Sequence, residues 1–197
     1  MPMIHEESNA IETNSGELVD LIDPEPGTIN FEDIVAGLSK LPRFVGQTDN
    51  VYTVAQHSVN VAKSILSEIP ESRGTLKIAL AGLLHDAAEA YLGDIPRPYK
   101  RMFGRALLIV EERLTRAIFT RFDLDFPLGP PEEVKHTDDR WLATERRDLF
   151  SHHSKLVSRA EPYAHGVGYC WTPKEAAFRF RTTYTGILAR LERAGDR

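Results

Sequence analysis

The chain of 197 residues reads as an all-α bundle of about six helices built as a single domain. Three observations carry this. Apolar residues recur at three- and four-residue spacing in six successive segments, which is the helical period. Strand-like alternation is confined to one short stretch, "ELVDLIDPEPG", where Leu18 and Leu21 precede Pro24, Pro26 and Gly27. No repeat and no low-complexity linker separates the segments, so they are expected to share one core. Residues 1–16 are polar and aperiodic and are expected to be a loose N-terminus, with residues 17–197 as the domain.

The first helix starts at Asn30, a residue suited to an N-cap, and buries Phe31, Ile34, Val35, Leu38 and Leu41. Pro42 ends it, and "RFVGQTDNV" is a loop. The second runs from about Thr53 to Ile69, with Val54, His57, Val61, Ile65 and Leu66 on one face. The third, Thr75 to Tyr91, is the most hydrophobic and carries Leu76, Ala79, Leu80, Leu83 and Leu84. "GDIPRPYKRMFG" is a proline-studded connector. The fourth helix carries Leu107, Val110, Leu114, Ala117, Ile118 and Phe122, and "DLDFPLGPP" breaks it from the next. The fifth, about Glu132 to His152, carries Val134, Asp138, Trp141, Leu142, Glu145 and Leu149. The sixth opens on "TPKE": Thr172 as N-cap, Pro173 at the first helical position and Glu175 closing a capping box. It continues through Phe180, Tyr184, Ile187 and Leu191.

Hydrophobic residues make up 42% of the chain, enough for one sizeable core. The net charge of −5 offers no basic excess for a nucleic-acid polymer. A small anionic ligand stays open, because a few local arginines can hold one. The single cysteine, Cys170, excludes an internal disulfide framework and a cysteine-rich zinc site. No apolar run approaches membrane-spanning length, and Glu6, Glu7 and Glu12 do not suit a signal peptide. A cytoplasmic protein without a membrane partner is expected.

Several ionisable groups nevertheless fall on apolar faces, where burial is costly unless a metal or a charge partner offsets it. His57 shares a face with Val54, Val61 and Ile65. His85 and Asp86 sit at the end of the third helix, and Asp138 on the apolar side of the fifth. A single histidine on such a face is more often a hydrogen-bonded core residue than a ligand, and Asp138 alone could be a surface charge. Together, two imidazoles and two carboxylates are a mixed N/O set for a divalent ion: Mn²⁺, Co²⁺, Fe²⁺, Zn²⁺ or Mg²⁺. Helices can bring such groups to one point. Asp139 competes with Asp138, but adjacent helical residues point about 100° apart, so one of the two reaches the ion.

In chain order, His57, the His85–Asp86 doublet and Asp138 resemble the H…HD…D signature of HD-domain metal-dependent phosphohydrolases. The likeness is closer to the bacterial 5′-deoxynucleotidase-like branch. That branch has a glutamate three residues after the doublet aspartate, an aspartate eight after it, and a proline-containing loop with a lysine. Here those are Glu89, Asp94, Pro96, Pro98 and Lys100, and Arg43 in "PRF" matches an arginine ahead of the first histidine. "TVAQHSVNVA" and "LPRFVGQ" are also similar to phage dATP triphosphohydrolases. The resemblance covers roughly residues 18–192.

The resemblance implies His57, His85, Asp86 and Asp138 as metal ligands. Asp138 aligns better than Asp139, because Leu142 and Glu145 then keep the family's spacing. A divalent ion there would activate water and polarise a phosphoryl group. Glu89, one turn from the doublet on the face of His85, would orient or deprotonate the attacking water. Asp94 would be a second acidic catalytic residue. Arg43 would clamp phosphate, with Lys100 and Arg97 adding positive charge. Phe44 would wall the sugar or base, leaving a ribose 2′-hydroxyl without a partner. Because Arg43 follows Pro42 in a loop, its truncation is expected to cost little packing.

The implied activity is phosphate release from deoxynucleoside 5′-phosphates. Alternatives are triphosphate release from a dNTP, hydrolysis of another phosphate ester, and a non-catalytic HD-fold nucleotide sensor or scaffold. A degenerate scaffold should have lost a ligand or Glu89, and this chain keeps them all. Other motifs carry less. "GYC" at Gly168 to Cys170 lacks the proline of the cyclic-dinucleotide HD enzymes. His152 and His153 read as surface, and Arg146, Arg147 and Lys155 as a solvated face. "MFGRALLIVEERL" is amphipathic and fits a core or subunit contact better than a membrane, in keeping with a homo-oligomer, dimer or higher.

Overall fold

The computed structural model describes residues 8–152, 156 and 158–195. His153 and Lys155 lie outside the described residues, as do residues 1–7. Among the described residues the fold is an all-α bundle. Its helices are α1 (Phe31–Leu38), α2 (Val54–Glu68), α3 (Arg73–Leu84), α4 (Glu89–Leu92), α5 (Arg97–Phe103), α6 (Arg105–Arg121), α7 (Glu132–Asp148) and α8 (Pro173–Gly195). A small antiparallel hairpin precedes them, β1 (Ala10–Glu12) with β2 (Leu18–Asp20), pairing Ala10 with Asp20 and Glu12 with Leu18.

Strand β1 falls in the segment expected to be loose. Polar bonds to α1, which leave no periodic trace in a sequence, hold the hairpin turn. The Ser15 N–H and hydroxyl both donate to the Asp33 carboxylate, at 2.8 and 2.7 Å, tying the hairpin turn to α1. Val19 of β2 is fully buried against the core.

The helix starts follow from capping. The side chains of Asn30, Thr53, Ser72 and Thr172 each accept a backbone N–H of the first turn. Ser72 thereby starts α3 ahead of Thr75. The box at Thr172 is half made, because the Glu175 carboxylate turns to the Tyr169 hydroxyl and to Arg179 instead.

Helix α2 is central: Val54, Val61 and Ile65 are fully buried, and it packs on α3, α7 and α8. Gly82 of α3 is needed for that approach, since a Cβ there would lie 2.7 Å from Ile65 Cδ1.

Two departures from the sequence reading shape the site. The third helix stops at Leu84, well short of Tyr91. Beyond it Ala87 N–H bonds Leu84 O at 3.0 Å and Glu89 N–H bonds Asp86 O at 2.9 Å, a three-residue spacing. That tighter turn eclipses residues three apart, so Glu89 aligns with Asp86 and not with His85. The proline-studded connector also contains a helix, α5, with Pro96 as its N-cap and Pro98 in its first turn.

Candidate metal centre

Four side chains converge where α2, the end of α3 and α7 meet. His57 is fully buried on α2. Its Nε2 lies 3.3 Å from His85 Nε2, 3.1 Å from Asp138 Oδ1 and 3.7 Å from Asp86 Oδ2. Asp86 Oδ2 lies 3.2 Å from His85 Nε2. His57, His85 and Asp138 form a group that could hold a metal ion, their ligand atoms all within 4.8 Å of one another. Asp86 completes the ring on one side while also accepting from Arg43 Nη1 at 3.3 Å.

The hydrogen bonds around the two imidazoles suit a cation. His57 Nδ1 is 2.6 Å from Glu145 Oε1, and His85 Nδ1 is 2.7 Å from Gly82 O. Both partners are acceptors, so both Nδ1 atoms carry hydrogens, and in neutral rings both Nε2 atoms present lone pairs. Two lone pairs and two carboxylate oxygens then face one another. A divalent ion offsets that repulsion, so the residues fit the group. Without one, protons take its place. Burial and the Arg43 charge push the His57 imidazole down, but Glu145 and the bond to Asp138 prevail and raise it to about 9. Burial pushes Asp138 up, yet the bond from His57 and the two imidazole charges hold it at about 2. Asp86 is held well below the usual carboxylate range, against its burial, by His85, His57 and Arg43.

This fixes a pH dependence. The folded pKa of His57 lies above its ordinary 6.5, so its stabilising contribution is complete below 6.5 and lost as pH rises to about 9. Metal-free protein should therefore lose stability across that window in urea titrations. Protein loaded with metal should release protons on binding there, and a flat metal-free profile would contradict the assignment.

Arg43 opens a tight turn, Arg43–Gly46, in which Phe44 and Val45 both take a left-handed φ of 55°. Such backbone costs about 1–3 kcal/mol per residue and persists where its surroundings enforce it. Here the Arg43 N–H donates to Tyr52 O at 2.8 Å, and the Phe44 N–H donates to Asp94 Oδ2 at 3.1 Å. The Arg43 side chain is buried and bonds Glu145 Oε2 through Nε at 3.1 Å as well as Asp86. The expectation that its truncation costs little packing is therefore corrected: Arg43→Ala should lower the melting temperature, because it strands the buried Glu145 carboxylate and the partly buried Asp86.

A pocket of about 220 Å³ adjoins the centre and gathers Arg43, Phe44, Asp86, Glu89, Asp94, Arg97, Lys100 and Asp138, with Arg146. Glu89 is buried and its Oε2 has no hydrogen-bond partner. Burial, then the charges of Asp86 and Asp94, push its carboxyl well above the ordinary range. Burial also raises Asp94. Lys100 donates to Glu111 Oε1 at 2.6 Å and leans over the pocket from α5. Arg97 is more exposed and bridges Asp139 at 3.1 Å and Asp138 Oδ2 at 3.6 Å. Asp139 thus turns to Arg97, and Asp138 turns to the histidines. Phe44 meets Phe150 edge-on, with ring centroids 5.4 Å apart. Arg146, expected on a solvated face, lines this pocket. Glu145, noted on the apolar face of α7 but given no role, proves to be the group that orients both His57 and Arg43.

Fold and site together define an all-α bundle with an inward-facing His/His/Asp group able to hold a metal ion. No helix of the described residues is long and apolar enough to cross a membrane. No family model matches the chain. It is 40% identical over 119 residues to an uncharacterized protein of Rhodobacter capsulatus, a match that spans 59% of this chain and 60% of the relative. It is 37% identical over 141 residues to the uncharacterized protein YfdR of Escherichia coli, covering 71% of each. The chain belongs to the family of YfdR.

Proposed function

We propose that the chain is a metal-dependent phosphohydrolase acting on deoxynucleoside 5′-phosphates. The observation that carries this is one junction, at Asp86 and Asp138. There a four-acceptor cation site meets a pocket that holds both a buried unpaired acid and four cations, Arg43, Arg97, Lys100 and Arg146. The order of the same residues along the chain, which resembles the HD-domain signature, supports it. The preference for deoxyribose rests on that resemblance.

His57, His85, Asp86 and Asp138 would hold a divalent ion, which when bound neutralises phosphoryl charge and lowers the pKa of water. Arg43 has Nε committed to Glu145 and Nη1 to Asp86, which leaves Nη2 for a phosphate oxygen. Lys100 and Arg97 add charge at the pocket rim. Glu89 accepts the proton of the attacking water as that oxygen bonds to phosphorus. The ester P–O bond breaks, and the leaving alcohol oxygen takes a proton from solvent. Once deprotonated, a Glu89 carboxylate with its pKa raised by burial is a stronger base than an ordinary one. Asp94 bonds the Phe44 N–H and so positions the turn that presents Arg43.

The test is the purified protein with several divalent metals against nucleoside mono- and triphosphates, with products identified. Inorganic phosphate should appear from dAMP. A buried, unpaired 2′-hydroxyl would disfavour AMP by about 1–3 kcal/mol, roughly 5- to 150-fold in kcat/KM. Equal values for dAMP and AMP would remove the deoxyribose preference. The four cations around one small pocket favour a second reading, dNTP triphosphohydrolase, and tripolyphosphate released from dATP would select it. No release from any nucleotide would leave a non-catalytic nucleotide sensor or scaffold.

The ligand set has its own test. Elemental analysis should find Asp138→Ala depleted of metal and Asp139→Ala loaded like wild type. Equal depletion in both would undo the choice of Asp138.

A further inference from the structure

The end of α5 and the first half of α6 carry apolar side chains that the fold leaves uncovered. Met102 is 78% exposed and Phe103 65%, and Phe103 stacks on the exposed Tyr99 with ring centroids 6.3 Å apart. Leu108 and Ile109 follow on α6 and are exposed too. At the helical period Arg105, Leu108, Ile109 and Glu112 fall within one face about 100° wide, and all four are exposed. The second half of α6 has the opposite shape. A cavity of about 850 Å³ lies between α6, α7 and the 124–131 loop. Phe119, Leu124 and Val134 line it and are buried, with Phe126 edge-on to Phe119 at 6.3 Å. Its exposed lining includes Leu108, Glu112 and, from the loop, Leu128 at 96%. An apolar projection and an apolar recess thus belong to the two halves of one helix. Such a surface is self-complementary under a two-fold axis, which brings each half against the other.

We infer that two copies of the chain pair through antiparallel α6 helices, about a two-fold axis between Leu108 and Ile109. Charge selects the direction. Parallel helices would set Arg105 beside the partner's Arg105, and Glu112 beside the partner's Glu112. In the antiparallel arrangement Arg105 faces the partner's Glu112 twice over, and Leu108 faces the partner's Ile109. The other arginines of this stretch have partners or acidic neighbours within their own copy. Arg113 donates to Ile22 O, and Arg116 shares the cavity lining with Glu111, Glu112 and Asp125. Spacing agrees with charge. At ~1.5 Å per residue the end of α5 stands about 8 Å ahead of the axis, and Thr115 of the cavity lining about 10 Å beyond it. Met102 and Phe103 of each copy therefore come to the cavity of the other and cover its apolar lining. His85, Asp86 and Asp138 line the same cavity, so the contact borders the candidate metal centre. The pairing does not depend on the proposed hydrolysis.

Sedimentation velocity of the full chain over a dilution series should show a dimer. Ile109→Glu, at an exposed position, should keep the circular dichroism of wild type and yield a monomer. Arg105→Glu and Glu112→Arg should each weaken the dimer by about tenfold or more, because each sets like charges face to face. The two changes together exchange the signs and remake the pair, so the dimer should return to within about threefold of wild type. That rescue separates this contact from a dimer through another face, which the single reversals would leave unchanged. If Ile109→Glu does not fold, the two reversals and their combination decide the matter, since both positions are exposed. A monomeric wild type, single reversals without effect, or a double reversal no tighter than either single would overturn the pairing.

Discussion

Replacing Glu145 by alanine should cost the fold about 3–5 kcal/mol, the penalty for removing one partner of a buried ion pair. Glu145 is fully buried, with one oxygen at 2.6 Å from His57 Nδ1 and the other at 3.1 Å from Arg43 Nε. Alanine leaves the Arg43 guanidinium buried with Asp86 as its remaining carboxylate, at 3.3 Å. It also leaves the His57 Nδ1 hydrogen without an acceptor, so nothing fixes the tautomer that turns Nε2 to the metal centre. Loss of such an orienting partner typically weakens metal binding by about 10- to 100-fold. Glu145→Gln keeps the volume and an acceptor for His57 and loses only the charge, so its cost should be smaller on both counts. Urea unfolding of metal-free protein and metal titration by competition with a chelator measure the two effects. An alanine variant with the unfolding midpoint and metal affinity of wild type would show that Glu145 orients nothing.

The same residue marks where sequence reading stops. The helical period places Val54, His57, Val61 and Ile65 on one face of α2, and Asp138, Trp141, Leu142 and Glu145 on one side of α7, because period depends only on local spacing. His57 and Asp138 were legible for that reason. Glu145 was visible on its apolar face, but its two partners come from the chain 88 and 102 residues away, and no local pattern encodes such a pairing. The break after Leu84 was hidden for a different reason. Ala87, Ala88 and Ala90 suit a continuous helix, and burial of the ionisable pair there is settled by tertiary contacts. The large cavity was hidden too, since its 124–131 wall is aperiodic loop. Arg43 shows the cost of treating a loop as exposed: its side chain is buried although Val45, two residues on in the same turn, is exposed.

Glu89→Gln should lower kcat by on the order of 10²-fold or more and yet make the metal-free protein more stable. The two effects share one cause. Glu89 is 8% exposed, its Oε2 has no partner, and burial together with Asp86 and Asp94 pushes its carboxyl well above the ordinary value of 4.5. A folded pKa above the unfolded one means that the native state holds the proton more tightly. Glu89 is therefore harmless below 4.5 and destabilises the fold progressively as pH rises through its raised folded value. Glutamine has the same shape and never ionises. The stability gap between variant and wild type should accordingly be small near pH 4.5 and widen towards neutral pH. Urea unfolding of both proteins at several pH values reads that gap, and elemental analysis should show that the variant still loads metal. A gap independent of pH would mean that Glu89 is not ionising in a buried, unpaired environment. Undiminished turnover at saturating metal would remove it as the base. Strain held at a reacting group is the pattern expected where stability is traded for activity. A variant that gains stability, keeps its metal and loses turnover is thus the outcome that assigns Glu89 to chemistry and not to the fold.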